Sequence, residues 1–261
     1  LVSPDKRSSA IAMMFTGLTV ATITGVPLGT WIGQQLGWEA SFITIAIIGF
    51  LSLVINIISV PNDLNEYEQA SMLEQLTVFK NKSLMMVYLI TALGYGGTFV
   101  VYTYLTTLLT DTLHYSDDAV VILLVIYGVM VAIGNTLGGK LTNNRPMQVL
   151  IGIFLIQAIV LLIVGVTLSH QILGTIAILI MGLFAFINVP GLQLIVVLFA
   201  ERKNKATTNF ASSLNIASFN IGITLGSVIG GYVLNHFSIT MTPYFGFAMV
   251  LIASAMMYMV Y

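Results

Sequence analysis

Charged side chains divide this chain into long, uninterrupted apolar runs. No Asp, Glu, Lys or Arg occurs from Ser8 to Trp38, from Ala40 to Asn62, from Ser83 to Thr110 or from Ala119 to Gly139. Two longer runs follow, Pro146 to Ala200 and Ala206 to Tyr261. A charge at the centre of a membrane-spanning helix costs about 2.5–3.5 kcal/mol, and one span needs about 20 residues. Each of the first four runs therefore predicts one transmembrane helix, and each long run predicts two. The first long run breaks at Ser169-His170-Gln171, the second from Asn235-His236-Phe237-Ser238 to Pro243. The pattern predicts an all-α membrane protein of eight transmembrane helices.

The loops test that count. With eight spans they alternate sides, and Lys6, Arg7, Lys80, Lys82, Lys140, Arg145, Arg202, Lys203 and Lys205 then share one side. These are all 9 basic residues of the chain. Glu39, Asp111, Asp117, Asp118, His114, His170 and His236 fall on the other. One missed or invented span would mix the two sets. The positive-inside rule makes the basic side cytoplasmic, with the chain start, the central linker and the C-terminus on it. The expected location is a cell membrane, crossed many times, most simply a bacterial plasma membrane.

The polar stretch from Pro61 to Lys82 reads as a cytoplasmic linker between two helices and six. Its start, Asn62-Asp63-Leu64-Asn65-Glu66, has the pattern of a capped amphipathic helix lying on the membrane surface. Asp117 and Asp118 are placed to cap the fourth span. The opening Leu1-Val2-Ser3-Pro4-Asp5-Lys6-Arg7 has no initiator Met and no signal-peptide pattern, and reads as a loop within a longer protein.

Composition agrees with lipid as the solvent. Hydrophobic residues make up 57% and charged residues 7%, against roughly 25% charged in soluble domains. A net charge of −1 offers no basic field for nucleic acid. With 0 cysteines, disulfides, thiolate catalysis and Cys-ligated metals are excluded. The three histidines stand singly in loops, and no cofactor or metal site is expected.

Two spans carry the same glycine rhythm. Gly25, Gly29 and Gly33 lie in the first, and Gly222, Gly226 and Gly230 in the seventh, offset by 222 − 25 = 197 residues. Glycines four apart line one helix face and admit close backbone packing. Both spans run outward from the basic side, so a parallel repeat is the simplest reading. That period predicts a parent of about 390 residues, with about 115 residues and four helices before Leu1.

At this point a family becomes recognisable. Gly25-Val26-Pro27-Leu28-Gly29-Thr30 with Gly33, followed by Gly37-Trp38-Glu39-Ala40-Ser41-Phe42, resembles the helix-five antiporter motif of drug and sugar efflux members of the major facilitator superfamily. Asn215 to Gly222, continuing to Gly226, Gly230 and Gly231, is similar to their eleventh helix. Gly94 to Leu105, with Phe99, Tyr102 and Tyr104, resembles their seventh. The likeness to the arabinose-efflux-like (DHA1-type) branch extends over the whole chain, as helices five to twelve. It implies a partial major facilitator fold: residues 1–60 as the last two helices of the N-terminal half, 61–82 as the linker, and 83–261 as the six-helix C-terminal half. Three departures stand out. Val26 precedes Pro27 where the motif has Gly, Glu39 stands where Arg is usual, and Asn143 stands where the cytoplasmic gate motif has Asp. Gly139, Lys140 and Arg145 are the gate-loop residues that the resemblance carries over.

The resemblance implies that the seventh and tenth helices line a central cavity, with helices five and eleven able to contribute. Spacing along these spans picks out the candidate substrate-binding residues. Tyr88, Thr91, Tyr95, Thr98 and Tyr102 share one face of helix seven, and such a stripe belongs against water or protein rather than lipid. Helix ten holds Asn188-Val189-Pro190-Gly191 in mid-span, where a kink is expected and Asn188 either meets substrate or satisfies freed carbonyls. Asn215 and Phe219 lie one turn apart on helix eleven, set for the cavity or for helix packing. Pro27 between Gly25 and Gly29 marks a bend, which the resemblance links to alternating access and control of proton leak.

The implied function is secondary active, proton-coupled efflux of a small organic solute, sugar-like or drug-like. An uptake symporter of the same fold and a truncated chain without autonomous transport stay open beside it. No mid-span Asp, Glu, Lys, Arg or His occurs, so a coupling acid is expected in the helices before Leu1. The same absence speaks against an intramembrane enzyme, since the serines and threonines have no base to activate them. The partners implied are a small-molecule substrate, protons and the lipid bilayer, and no nucleic acid.

Overall fold

The computed structural model describes residues 7–59, 71–143 and 145–260, with side chains from Val20 onward except Thr22 and Ile23. Among the described residues there is no strand. The helices are α1 (Arg7–Leu36), α2 (Trp38–Ser59), α3 (Met72–Leu76), α4 (Lys82–Tyr102), α5 (Leu105–Thr107), α6 (Asp117–Thr142), α7 (Pro146–Thr167), α8 (Gln171–Ala185), α9 (Val189–Glu201), α10 (Thr208–His236) and α11 (Thr242–Val260). Seven helical stretches are long and apolar enough to cross a membrane, the pair α8–α9 acting as one. The eighth expected span is α1, a helix of 30 residues whose side chains before Val20 are outside the described set. The expected amphipathic helix at Asn62–Glu66 also lies outside the described residues. So does the chain start.

Breaks between helices fall where polar residues interrupt the apolar pattern. Ser71 and Glu74 form a reciprocal capping box, with Glu74 N–H donating to Ser71 Oγ at 3.3 Å and Ser71 N–H to Glu74 Oε2 at 2.7 Å. This cap starts the short α3 between α2 and α4 and satisfies two end donors. Asn81 then caps α4, its Oδ1 accepting from Ser83 N–H at 3.1 Å. At α6 the expectation is corrected by one turn position. Ser116 is the N-cap residue, and Asp117 and Asp118 occupy the first turn, where their charge complements the helix dipole without a capping bond.

Helix α4 is the axis of the bundle. Of its apolar window 78% is buried, whereas no other spanning stretch exceeds 50%. α10 packs along one side of α4 and α11 along another, and glycines make both approaches possible. A methyl group at Gly226 would stand 2.3 Å from the Gly96 carbonyl oxygen, and one at Gly246 would stand 2.3 Å from the Gly97 oxygen. Adjacent glycines thus serve two neighbours, because consecutive helix positions point about 100° apart. α7 packs on α11 and α8, while α1 lies against α6.

The expected kink in helix ten is a full interruption. α8 ends at Ala185 and α9 begins at Val189, with Pro190 in its first turn. Pro190 has no N–H for the Phe186 carbonyl, which instead accepts from Val189 N–H at 3.2 Å. The broken segment beds into α6. Methyl groups at Gly134 and Gly138 would stand 1.9 and 2.0 Å from the carbonyl oxygens of Leu183 and Ile187.

Candidate functional site

Two hydrogen-bond networks, the first buried and the second partly so, tie the inner helices together, and each includes a glutamine. In the first, Gln157 at the middle of α7 donates through Nε2 to the Gly94 carbonyl at 3.2 Å and to Thr98 Oγ1 at 2.5 Å. The Gly94 carbonyl can only accept, so the orientation of the Gln157 amide follows. Its Oε1 is the acceptor, and Asn188 Nδ2 donates to it at 2.9 Å. Asn188 Oδ1 is then buried without a hydrogen-bond partner among the described residues.

The second network runs through α4, α9 and α10. Thr91 Oγ1 donates to Asn215 Oδ1 at 2.9 Å, Asn215 Nδ2 donates to Gln193 Oε1 at 2.7 Å, and Gln193 Nε2 donates to Ser212. Tyr88 is anchored nearby, its hydroxyl donating to the Ala211 carbonyl at 3.0 Å. Thr91, Thr98, Asn188 and Asn215 are fully buried. A polar side chain in a dry interior needs such partners, and these spend their polar atoms on neighbouring helices.

One face of the bundle is aromatic. Tyr95 is its hub, with ring centroids 4.9 Å from Phe219, 4.9 Å from Phe99 and 5.3 Å from Phe186. Phe99 continues to Tyr102 at 5.1 Å, and Tyr102 stacks on Tyr127 at 5.4 Å. Beside Tyr95 lies a cavity of about 370 Å³ between α4, α6, the helix-ten break and α10. Tyr95, Phe186, Phe219 and Ile216 form its apolar wall, and Asn135 and Asn220 supply its amides. No charged side chain lines it among the described residues.

The structure therefore separates the eight candidate residues. Tyr95 and Phe219 line the cavity, and Tyr102 belongs to the aromatic cluster that continues from it. Tyr88, Thr91, Thr98, Asn188 and Asn215 are engaged in interhelical bonds. The aromatic face also includes Phe186 and Tyr127, and the networks include Gln157 and Gln193, which the sequence reading did not single out. Gln157 left a signal: it is a strongly polar side chain at the midpoint of an otherwise apolar span. Phe186 left none, since one phenylalanine among many in a membrane helix carries no positional information.

The other two groups of candidates are placed as follows. In α1, Pro27 is buried and the helix continues through it. Methyl groups at Gly25 and Gly29 would meet nothing within 4 Å, and one at Gly33 would touch Ser41 Oγ at 3.4 Å. Ser41 Oγ in turn donates to the Gly29 carbonyl at 2.9 Å, joining α2 to α1. In the gate loop, Gly139 lies 3.9 Å from Pro190 by the same measure, Lys140 is in the last turn of α6, and Arg145 precedes α7. Thr142 packs on Gly191, where an added methyl would stand 2.6 Å from Thr142 Cγ2. The loop thus sits directly on the helix-ten break. No group of three His, Cys, Asp or Glu among the described residues is arranged to hold a metal.

Comparison with known proteins completes this picture. The family model described as Major Facilitator Superfamily matches residues 1–210. An MFS-type transporter of Bacillus subtilis (strain 168), YtbD, is 48% identical over 250 residues, covering 96% of this chain and 63% of its own. The inner membrane transport protein YdhP of Escherichia coli (strain K12) is 34% identical over 235 residues, covering 90% of this chain and 59% of its own. The chain belongs to the Major Facilitator Superfamily, a family of membrane transporters rather than enzymes. It spans about three-fifths of the length of these relatives. Among solved structures, a bacterial homologue of the iron transporter ferroportin in an inward-facing state superposes with a TM-score of 0.64 at 14% identity, covering 100% of this chain and 64% of that one. The Escherichia coli fucose:proton symporter FucP gives 0.60 at 17% identity, covering 85% and 54%. At these identities the likeness is one of fold.

Proposed function

We propose that the complete protein exports a small neutral, polar or amphipathic organic solute in exchange for protons, by alternating access. The carrying observation is the cavity beside Tyr95, which combines aromatic walls with the amides of Asn135 and Asn220 and no charge. Aromatic faces take up the apolar part of a solute, and a few convergent amides orient its polar groups. Phe219 and Tyr95 supply contact, and Tyr102 extends the path. Thr91, Thr98, Asn188 and Asn215 hold the wall in place through the glutamine networks. The basic ends of the spans face the cytoplasm in this reading. Residues 1–60 close the N-terminal half, 61–82 link the halves, and 83–261 form the C-terminal half.

Helix ten supplies the moving part. Its break at Phe186–Asn188 lies between the cavity wall and the gate loop, so a change at one is transmitted to the other through Pro190 and Gly191. The proton-coupling carboxylate is assigned to the portion of the family fold outside the described spans. The test is transport by the complete protein in proteoliposomes under an imposed pH gradient. Solute leaving the proton-poor side only when the gradient is present supports exchange. Solute and protons moving together in the same direction supports symport, and transport indifferent to the gradient removes proton coupling altogether.

A further inference from the structure

A second cavity, of about 300 Å³, opens where α7 begins and α9 ends. Its polar rim carries two arginines, Arg145 and Arg202, together with Gln148, and its wall is Met147, Ile195, Leu198 and Phe199. No carboxylate lines it among the described residues. Because α7 and the α8–α9 pair are consecutive antiparallel spans, the cavity lies at the end of the bundle that carries the lysines and arginines.

Arg145 is held there against local preference. Its backbone is left-handed, with φ 54° and ψ 55°, a conformation that disfavours a side chain with a Cβ. It occupies the N-cap of α7, a position that calls for a side-chain acceptor, and it makes no capping bond. The first turn that follows contains no acidic residue. Its positive charge also sits at the positive end of the helix dipole. Across the cavity Arg202 adds a second guanidinium at the C-cap of α9. A single anion between the two guanidiniums would offset all of these electrostatic costs. The apolar wall narrows the choice, because a free inorganic ion gains nothing from Ile195, Leu198 and Phe199.

We propose that this cavity binds the phosphodiester of an anionic phospholipid, with Arg145 and Arg202 on the phosphate oxygens and an acyl chain along Ile195, Leu198 and Phe199. Guanidinium forks match phosphate oxygens in geometry, and a basic pocket at the ends of spanning helices lies at headgroup depth. Seated there, the lipid would bridge α7 to α9 beside the gate loop. This inference rests on membrane embedding alone and is independent of the transported solute.

The test is native mass spectrometry of the complete purified protein, titrated separately with phosphatidylglycerol, phosphatidylcholine and inorganic phosphate. Phosphatidylglycerol is expected to bind at least about fivefold more tightly than phosphatidylcholine. Arg145→Gly removes the charge while relieving the left-handed backbone, so it is expected to fold and to lose about fivefold in phosphatidylglycerol affinity; Arg202→Gln is expected to lose a similar factor. If Arg145→Gly does not fold, Arg145→Asn, which also tolerates this backbone, replaces it. Lys203→Gln, adjacent in sequence but outside the cavity, is expected to leave the affinity unchanged. Equal affinity for the two lipids, or an equal loss in Lys203→Gln, would overturn the proposal. So would arginine-dependent binding of inorganic phosphate that phosphatidylglycerol does not displace.

Discussion

Asn188, in the interruption of helix ten, donates its side-chain amide to Gln157 of α7 across 2.9 Å in a fully buried setting. Gln157 serves three partners at once. Gln157→Leu keeps the volume and removes every bond, leaving Thr98 and Asn188 unsatisfied in a dry interior. A loss of about 1–2 kcal/mol is expected. The thermal midpoint in detergent should fall by several degrees, and a midpoint within a degree of the parent would show that the network contributes nothing.

The two glycine runs should respond in opposite ways. Gly226→Ala places a methyl 2.3 Å from the Gly96 carbonyl oxygen, in backbone that cannot move aside cheaply. It should lower the thermal midpoint strongly or abolish assembly. Gly25→Ala and Gly29→Ala meet nothing within 4 Å and should leave the stability of this chain unchanged or slightly raised, because alanine is the better helix former. The contrast is read by comparing the melting curves of the three variants.

This contrast also marks what the sequence made legible. Charge placement located most span boundaries to within a few residues, because lipid penalises every misplaced charge, although the charge-free run to Thr110 extends past the end of α4 at Tyr102. The shared spacing in the two glycine runs was equally visible, but not what each run faces, since the same four-residue rhythm appears against tight backbone in α10 and open space in α1. At the site, Tyr88 to Tyr102 all fall within α4. Helix α4 is buried nearly all round, however, so sharing a face did not mean sharing a cavity. Thr98 turned to Gln157 and Thr91 to Asn215, partners 59 and 124 residues away that no local pattern encodes.

Restoring helix ten should stabilise one conformation at the expense of exchange. Pro190→Ala returns an N–H to the Phe186 carbonyl and removes the ring that enforces the break. The expected outcome is an unchanged or higher thermal midpoint together with slower transport by the complete protein. Transport at the parent rate would mean that the interruption is not the moving part.

Filling the cavity should block the path without harming the fold. Ile216 lines the cavity and is 56% exposed. Ile216→Trp adds bulk at a largely exposed lining position, and should reduce transport about tenfold or more, a change of about 1.4 kcal/mol in the transport barrier. Ile221, 54% exposed and outside the lining, is the control position, and Ile221→Trp should transport normally.

The central claim is that the face holding Tyr95 and Phe219 meets water rather than lipid. The 261 residues contain 0 cysteines, so a single introduced thiol in this chain reports one position. Asn220→Cys lies in the cavity lining and Ile221→Cys lies on the next position around α10. In the complete protein in membranes, a charged, membrane-impermeant thiol reagent should label Asn220→Cys rapidly and leave Ile221→Cys largely unmodified. Equal labelling of both, or labelling of Ile221→Cys alone, would contradict the account.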